Sequence, residues 1–310
     1  MIISTVDLGA KIIESIADDY KEKIFTVIDI SNSRALLAEA EIVIGYADEE
    51  IILACPKLKW FFVMQAGVDN LPFDLIKERN IILSTVSGIH ASQVSEHVMG
   101  MMIMFSRRFI RHIHNKSRKL WGRGFDVEEL YGKTICILGV GSIGKEIGRK
   151  AKAFHMHVIG VDKHTQANEA FDSIWGMERF REALSLADYF VISVPLTPET
   201  SGLINKEVLA LMKSSSFIIN VSRGRIIDEA ALIDALKGRG IAGAGLDVFS
   251  KEPLPRTSPL WKMENVIITP HIAGASPYYQ QRAMGIFRRS LDCYKKGEPI
   301  PNRIDPERQY

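Results

Sequence analysis

The sequence predicts two α/β domains, each built on a doubly wound parallel sheet, and three observations lead there. Short apolar, β-rich runs alternate with helical stretches along the whole chain, the pattern of parallel strands covered by helices. A length of 310 residues suits two cores better than one. A glycine-rich turn, Gly139-Val140-Gly141-Ser142-Ile143-Gly144, separates an apolar run from a helical one near the middle of the chain.

In the first region, residues 1–88, strands are predicted at 24–28, 42–44, 60–64 and 81–84. The tight loop Ala66-Gly67-Val68-Asp69-Asn70 follows the third. A long helix is expected over 91–110, where Val94, Val98, Met101, Met102, Met104 and Phe105 form a stripe of the kind that fills cores. In the second region, from Gly132, strands are predicted at 134–140, 157–162, 189–194, 217–221, 242–247 and 266–269. Helices fall between them at 142–154, 178–186, 206–212 and 229–237. A last helix, over 277–294, follows the final strand and can return the chain to the first domain.

Composition narrows the function. Apolar residues make up 46% and charged residues 25%, and 39 basic against 37 acidic side chains give a net charge of +2. These are values of ordinary soluble protein, with no field that calls for nucleic acid. The most basic stretch holds Arg107, Arg108, Arg111, Lys116, Arg118, Lys119 and Arg123, and reads as a solvated helix face or a subunit contact. No apolar run reaches about 18 residues, so no membrane span is expected. The N-terminus has no basic region before an apolar stretch, so no signal peptide is expected and the cytoplasm is the default location. Three cysteines, odd in number and widely spaced, suit a reducing compartment. His155 and His157 share a strand face but lack an evident third ligand, so no metal site is expected.

The glycine turn gains its meaning from its setting. The run TICIL precedes it, a helical stretch follows, and the next strand ends in Asp162, 18 residues after Gly144. That is the strand–turn–helix–strand context of a dinucleotide-binding fingerprint, and it makes the second domain Rossmann-like. Gly139 allows the tight turn, Gly141 lets the backbone approach a pyrophosphate, and Gly144 lets the helix pack close. The helix start, with Ser142 and Ile143, offers N–H groups and a partial positive charge to phosphate. Asp162 can accept from ribose hydroxyls and repels a 2′-phosphate, which favours NAD over NADP. Lys163 and His164 beside it soften that repulsion. FAD or S-adenosylmethionine on the same fold is the alternative.

Three later segments each end a predicted strand: Asn220–Gly224 with Arg223, Gly245–Phe249 with Asp247 and Glu252 beyond, and Thr269–Gly274 with His271. Carboxyl ends of parallel strands converge on the ligand crevice, so an arginine, a carboxylate and a histidine can meet there. Histidine titrates near neutral pH, about 6.5 when unperturbed, so it can give and take a proton. A neighbouring carboxylate stabilises its charged form, and a guanidinium grips a carboxylate through two parallel hydrogen bonds. Arg223 has a second reading as a contact to cofactor phosphate alone. Asp247 has one as an anchor for backbone rather than for a cofactor amide.

The motifs GVGSIG, VPLTPET, INVSRGRIIDE, GLDVFSKEPLP and ITPHIAG occur in that order. By them the sequence resembles the D-isomer-specific 2-hydroxyacid dehydrogenase family over nearly its whole length. The resemblance implies a substrate domain split by an inserted cofactor domain: 1–98 with 275–310, and 99–274. It implies His271 as catalytic acid/base, Glu252 as its partner and Arg223 on the substrate carboxylate. Cofactor contacts carry over to Gly139, Gly141, Ser142, Ile143, Gly144, Asp162, Val194, Pro195 and Thr200. They continue at Val221, Ser222, Arg223, Asp247, His271, Ala273 and Gly274. Substrate contacts fall on Arg223 and His271 and on the loop Ala66, Gly67 and Val68, whose family counterpart meets the substrate carboxylate through backbone N–H groups.

The expected activity is hydride transfer between NAD and C2 of a small D-2-hydroxy or 2-oxo acid, in a homodimer. Phosphite dehydrogenases of this fold carry lysine where this chain has Ala66, and formate dehydrogenases carry glutamine where it has Glu252, so neither is expected. The larger serine-pathway type, with a long regulatory domain, is not expected after Tyr294. The alternative is a corepressor-like scaffold that binds NAD with little turnover. Glu96 and His97 resemble a family pair in the interdomain helix and read as packing or hinge residues.

Overall fold

The computed structural model describes every residue except Ala66, Asp69, Asn70, Gly124, Phe125 and 307–310. The chain forms two compact units, Met1–Ile89 with Ser276–Tyr310, and His90–Ala275.

The first unit runs β1 (Ile2–Ser4), α1 (Ala10–Tyr20), β2 (Ile24–Thr26), α2 (Arg34–Leu37), β3 (Ile42–Gly45), α3 (Glu49–Ala54), β4 (Trp60–Val63), α4 (Phe73–Glu78) and β5 (Ile82–Thr85). Its five strands are parallel, in the order β2-β1-β3-β4-β5. The run WFFV of β4 shows why these strands read as continuous apolar stretches rather than alternating ones. Phe61 and Val63 pack on one side of the sheet, Trp60 and Phe62 on the other, and all four are buried. The indole Nε1 of Trp60 donates to Ser84 Oγ at 2.8 Å, which satisfies its one polar atom. Strand β1 lies inside the sheet although no strand is predicted before residue 24. Three residues at a chain start carry no periodicity and no preceding turn signal.

The second unit runs α5 (Ala91–Ser106), α6 (Phe109–Ser117), β6 (Thr134–Leu138), α7 (Ser142–Ala153), β7 (His157–Val161), β8 (Ser173–Trp175), α8 (Phe180–Leu186), β9 (Tyr189–Ile192), α9 (Lys206–Leu209), β10 (Phe217–Asn220), α10 (Glu229–Lys237), β11 (Gly243–Leu246) and β12 (Val266–Ile268). The chain then rejoins the first unit through α11 (Tyr279–Lys296), whose Ala283, Phe287 and Leu291 pack in the core with Trp60 and Phe62. The seven strands are parallel, in the order β12-β11-β10-β9-β6-β7-β8. Strand order reverses between β6 and β9, and a doubly wound sheet opens its ligand crevice at that point. The first unit reverses between β1 and β3, the flavodoxin-like order, so the two sheets share winding but not strand order.

One detail differs from the sequence-based expectation. The single helix over 91–110 is two helices: α5 stops at Ser106, and Arg108 turns left-handed with φ of 55° before α6 begins. Its buried stripe gives out at Phe105 and Ser106, and no residue of α6 is fully buried, although Ile110 packs partly against the same core. The border of the compact units falls before α5. Val98, Met101, Met102 and Phe105 pack with Ile135, Ile137, Val191 and Ile219, which draws the whole helix into the second unit.

Candidate active site

Because all seven strands of the second unit are parallel, the residues that follow them lie along one edge of the sheet. Gly139 follows β6, Asp162 follows β7, and Ser193 to Pro195 follow β9. Val221 to Arg223 follow β10, Asp247 follows β11, and Thr269 to Gly274 follow β12.

Gly139 has φ of +99°, and a Cβ there would lie 2.9 Å from both Ser193 O and Val194 Cγ1. A Cβ on Gly144 would lie 2.0 Å from Gly139 O, so only glycine lets α7 start this close to β6. Gly141 is different. It is exposed, and a Cβ there would meet nothing within 4 Å. It caps α7 with no side chain, so the first N–H groups of the helix, at Ser142, Ile143 and Gly144, have no intrahelical or cap partner. Open backbone donors, an unobstructed approach and the positive end of a twelve-residue helix fit a dinucleotide pyrophosphate. Asp162 closes the turn on the other side: its Oδ2 accepts from Val140 N at 2.7 Å and its Oδ1 from His164 N at 2.9 Å. The carboxylate is held in place and keeps lone pairs for ribose hydroxyls.

The loops after β9 and β10 are tied to each other. Thr200 Oγ1 donates to Pro195 O at 2.7 Å and accepts from Thr197 N at 2.8 Å, which closes the loop that carries Val194. Ser222 Oγ donates to Val194 O. Asn220 is fully buried; its Oδ1 accepts from Ser222 N at 3.1 Å and its Nδ2 donates to Arg223 O at 2.9 Å. This clamp shapes the turn that presents Arg223, whose Nη1 donates to Ser222 O at 2.9 Å. A Cβ on Gly224 would sit 1.9 Å from the carbonyl carbon of Phe249, so the Arg223 turn presses directly on the segment leading to Glu252.

Glu252 and His271 form a pair. Glu252 Oε1 accepts from Phe249 N at 3.0 Å, which orients the carboxylate, and Oε2 lies 2.7 Å from His271 Nδ1. With the Nδ1 hydrogen directed at Glu252, Nε2 is left for a reacting group. The side chains are 51% and 36% exposed, so the pair is open to solvent and substrate.

His271 itself has φ of 54°, a left-handed conformation that costs a side-chain-bearing residue about 1–2 kcal/mol. Asp247 holds it there. Its carbonyl accepts from His271 N at 2.8 Å, and its carboxylate accepts from Ile272 N at 2.9 Å and Ala273 N at 3.0 Å. Asp247, expected at the cofactor, is 1% exposed and directs its carboxylate at backbone and at Thr269 Oγ1, 2.6 Å away. Ala273 is buried too. The carbonyl of Gly274 contacts His90 Nδ1 at 3.2 Å and Gln93 Nε2 at 3.1 Å. Burial pushes His90 below the ordinary histidine range, and its hydrogen bond to Gly274 opposes the shift.

Of the first-region residues, Ala66 lies outside the described residues. Gly67 and Val68 follow β4 at the carboxyl end of the first unit's sheet, and Val68 packs partly against that unit's core. Two residues that sequence reasoning does not place in the site, Asn220 and Thr269, lie inside the quoted motifs. Their adjacency to Arg223 and His271 is the signal that could have found them. His97, which reads from sequence as a packing or hinge residue, lies 3.0 Å from Thr269 Oγ1.

Comparison with known proteins points the same way as this geometry. The NAD binding domain of D-isomer specific 2-hydroxyacid dehydrogenases matches residues 99–273. A glyoxylate reductase of Korarchaeum cryptofilum is 34% identical over 270 residues, 84% of this chain and 80% of that protein. A D-3-phosphoglycerate dehydrogenase of Methanocaldococcus jannaschii is 38% identical over 259 residues, but the chain spans only 49% of it. A D-isomer specific 2-hydroxyacid dehydrogenase family protein from Aeromonas salmonicida superposes with a TM-score of 0.87 at 31% identity, over 98% of both chains. With its glycine turn, its parallel-sheet architecture and these relatives in agreement, the chain belongs to the D-isomer specific 2-hydroxyacid dehydrogenase family.

Proposed function

We propose that this protein reduces a small 2-oxo acid to the D-2-hydroxy acid, and runs the reverse, with NAD as cofactor and His271 as acid/base. The observation that carries the proposal is the 2.7 Å pairing of His271 Nδ1 with Glu252, on the strand ends of a sheet whose first turn fits a dinucleotide. A bound nicotinamide supplies or accepts the hydride. The protein's own groups do the rest. Arg223 grips the substrate carboxylate and fixes which carbon is exposed to attack. Nε2 of His271 donates its proton to the carbonyl oxygen as charge builds there, and Glu252 stabilises the ring while it carries charge. In the oxidative direction the same nitrogen takes the hydroxyl proton.

Cofactor preference rests on Asp162, whose carboxylate is fixed at the turn where a 2′-phosphate would have to sit. A relative from Xanthobacter autotrophicus, 26% identical with a TM-score of 0.84, was solved with NADPH, so the choice is a real one within the fold. Homodimerisation through α6 is supported by its exposed apolar side chains Phe109 and Ile113, 46% and 60% accessible on a helix with no fully buried residue. Three unbridged cysteines suit a reducing cytoplasm.

The test is NADH and NADPH oxidation with a panel of glyoxylate, hydroxypyruvate and 3-phosphohydroxypyruvate, alongside His271→Ala. We expect turnover with NADH to fall by about a thousand-fold in His271→Ala, with NADH binding kept. Tight NADH binding without turnover of any acid would leave a cofactor-binding scaffold instead.

A further inference from the structure

His97 takes no part in that scheme, yet the structure joins it to the residue that does. Its ring projects from α5, with Nε2 3.0 Å from Thr269 Oγ1 and 3.8 Å from Asp247 Oδ1. Thr269 Oγ1 lies 2.6 Å from that same carboxylate oxygen. A carboxylate only accepts, so the threonine directs its one hydrogen at Asp247. The threonine oxygen then accepts from His97, which places the ring hydrogen on Nε2.

The order of the chain is therefore His97, Thr269, Asp247, and then the backbone N–H groups of Ile272 and Ala273. Its last two members are the two residues after His271, the left-handed residue of the segment. A residue in that conformation persists only where its surroundings over-determine it. A threonine hydroxyl rotates among three staggered positions unless a donor occupies its oxygen. His97 supplies the donor, and so leaves the hydroxyl one direction, toward Asp247.

We propose that His97 is a positioning residue: by donating to Thr269 it sets the Asp247 carboxylate, and through it the turn that holds the His271 ring against Glu252. The inference rests on the reading of His271 as the acid/base. It gives α5, a helix that also packs into the core, a hold on the reactive ring through Thr269 and Asp247.

The test uses the whole protein and three substitutions. His97→Leu removes the donor and keeps bulk, His97→Gln keeps an N–H at about the same reach, and Thr269→Val removes the hydroxyl without changing shape. In His97→Leu we expect kcat to fall roughly ten-fold while KM for NADH stays within about two-fold. The pH profile of reduction should move with it, and the His271 ring resonances of the substrate-free protein should shift. His97→Gln should recover kcat to within about three-fold. The double variant His97→Leu with Thr269→Val should be no worse than the poorer single, because both cut one chain.

Unaltered kcat and pH profile in His97→Leu overturn the proposal, as does a glutamine variant no better than leucine or a double variant whose losses add. His271→Ala, measured beside them, separates the two readings. If it retains turnover, the acid/base assignment falls. If it abolishes turnover while His97→Leu changes nothing, only the role of His97 falls.

Discussion

Two histidine–carboxylate arrangements stand at the same end of the seven-stranded sheet, built in opposite ways. His271 and Glu252 touch directly at 2.7 Å, with side chains 51% and 36% exposed. His97 and Asp247 are 3.8 Å apart and bridged by Thr269, with side chains 20% and 2% exposed. A charge that must change during a reaction needs access to substrate and solvent, and a partner that tolerates both states. A charge that must stay fixed is best buried and met by donors that cannot leave. Asp247 has three such donors, two of them backbone. On the proposed reading, the contrast separates the pair that would transfer a proton from the frame that would aim it, although both pairs use the same residue types.

The sharpest way to break that comparison is Asp247→Ala. It leaves the buried N–H groups of Ile272 and Ala273 without their acceptor, so we expect a loss of about 2–5 kcal/mol in denaturant unfolding, with turnover lost as well. A variant as stable as the unsubstituted protein would mean the carboxylate is no frame. Glu252→Gln is the counterpart on the open pair. There we expect turnover to drop roughly ten-fold while stability changes by less than about 0.5 kcal/mol. A large stability loss would erase the distinction between the pairs.

The smallest effect concerns a third histidine, His90, whose Nδ1 meets the Gly274 carbonyl and the Gln93 amide nitrogen. Burial holds it below the ordinary histidine value of 6.5. The unfolded chain therefore takes up this proton at higher pH than the folded one, so the contribution is whole above that value and is lost as pH falls below it. We expect His90→Gln to flatten the decline of the thermal midpoint on acidification below about pH 6.5. Equal slopes in the two proteins would remove His90 from the acid sensitivity.

Much of this is legible in local patterns. Strands buried on both faces announce themselves as unbroken apolar runs, and WFFV and TICIL do so here. Glycines whose Cβ would strike backbone stand at fixed spacing about the start of a helix, so Gly139 and Gly144 stand out from spacing alone. Less legible are β1, with three residues and no flanking turn, and β8, whose Ser173–Trp175 is half-buried and short. The split between α5 and α6 is hidden because Arg107 and Arg108 are good helix formers, and only the end of burial stops the helix.

Sequence alone determined the fold class, the glycine turn ahead of α7 and the roster of arginine, glutamate and histidine at strand ends, because periodicity, glycine spacing and motif order are local properties of the chain. Tertiary structure decided which carboxylate serves which histidine. Glu252 and Asp247 lie five positions apart, yet one turns to the exposed ring of His271 and the other inward to Thr269 and to a helix residue 172 positions from that threonine. Nothing in local pattern encodes that choice. It follows from strand order, from the close approach of α5, and from which donors the packed backbone leaves pointing at each oxygen.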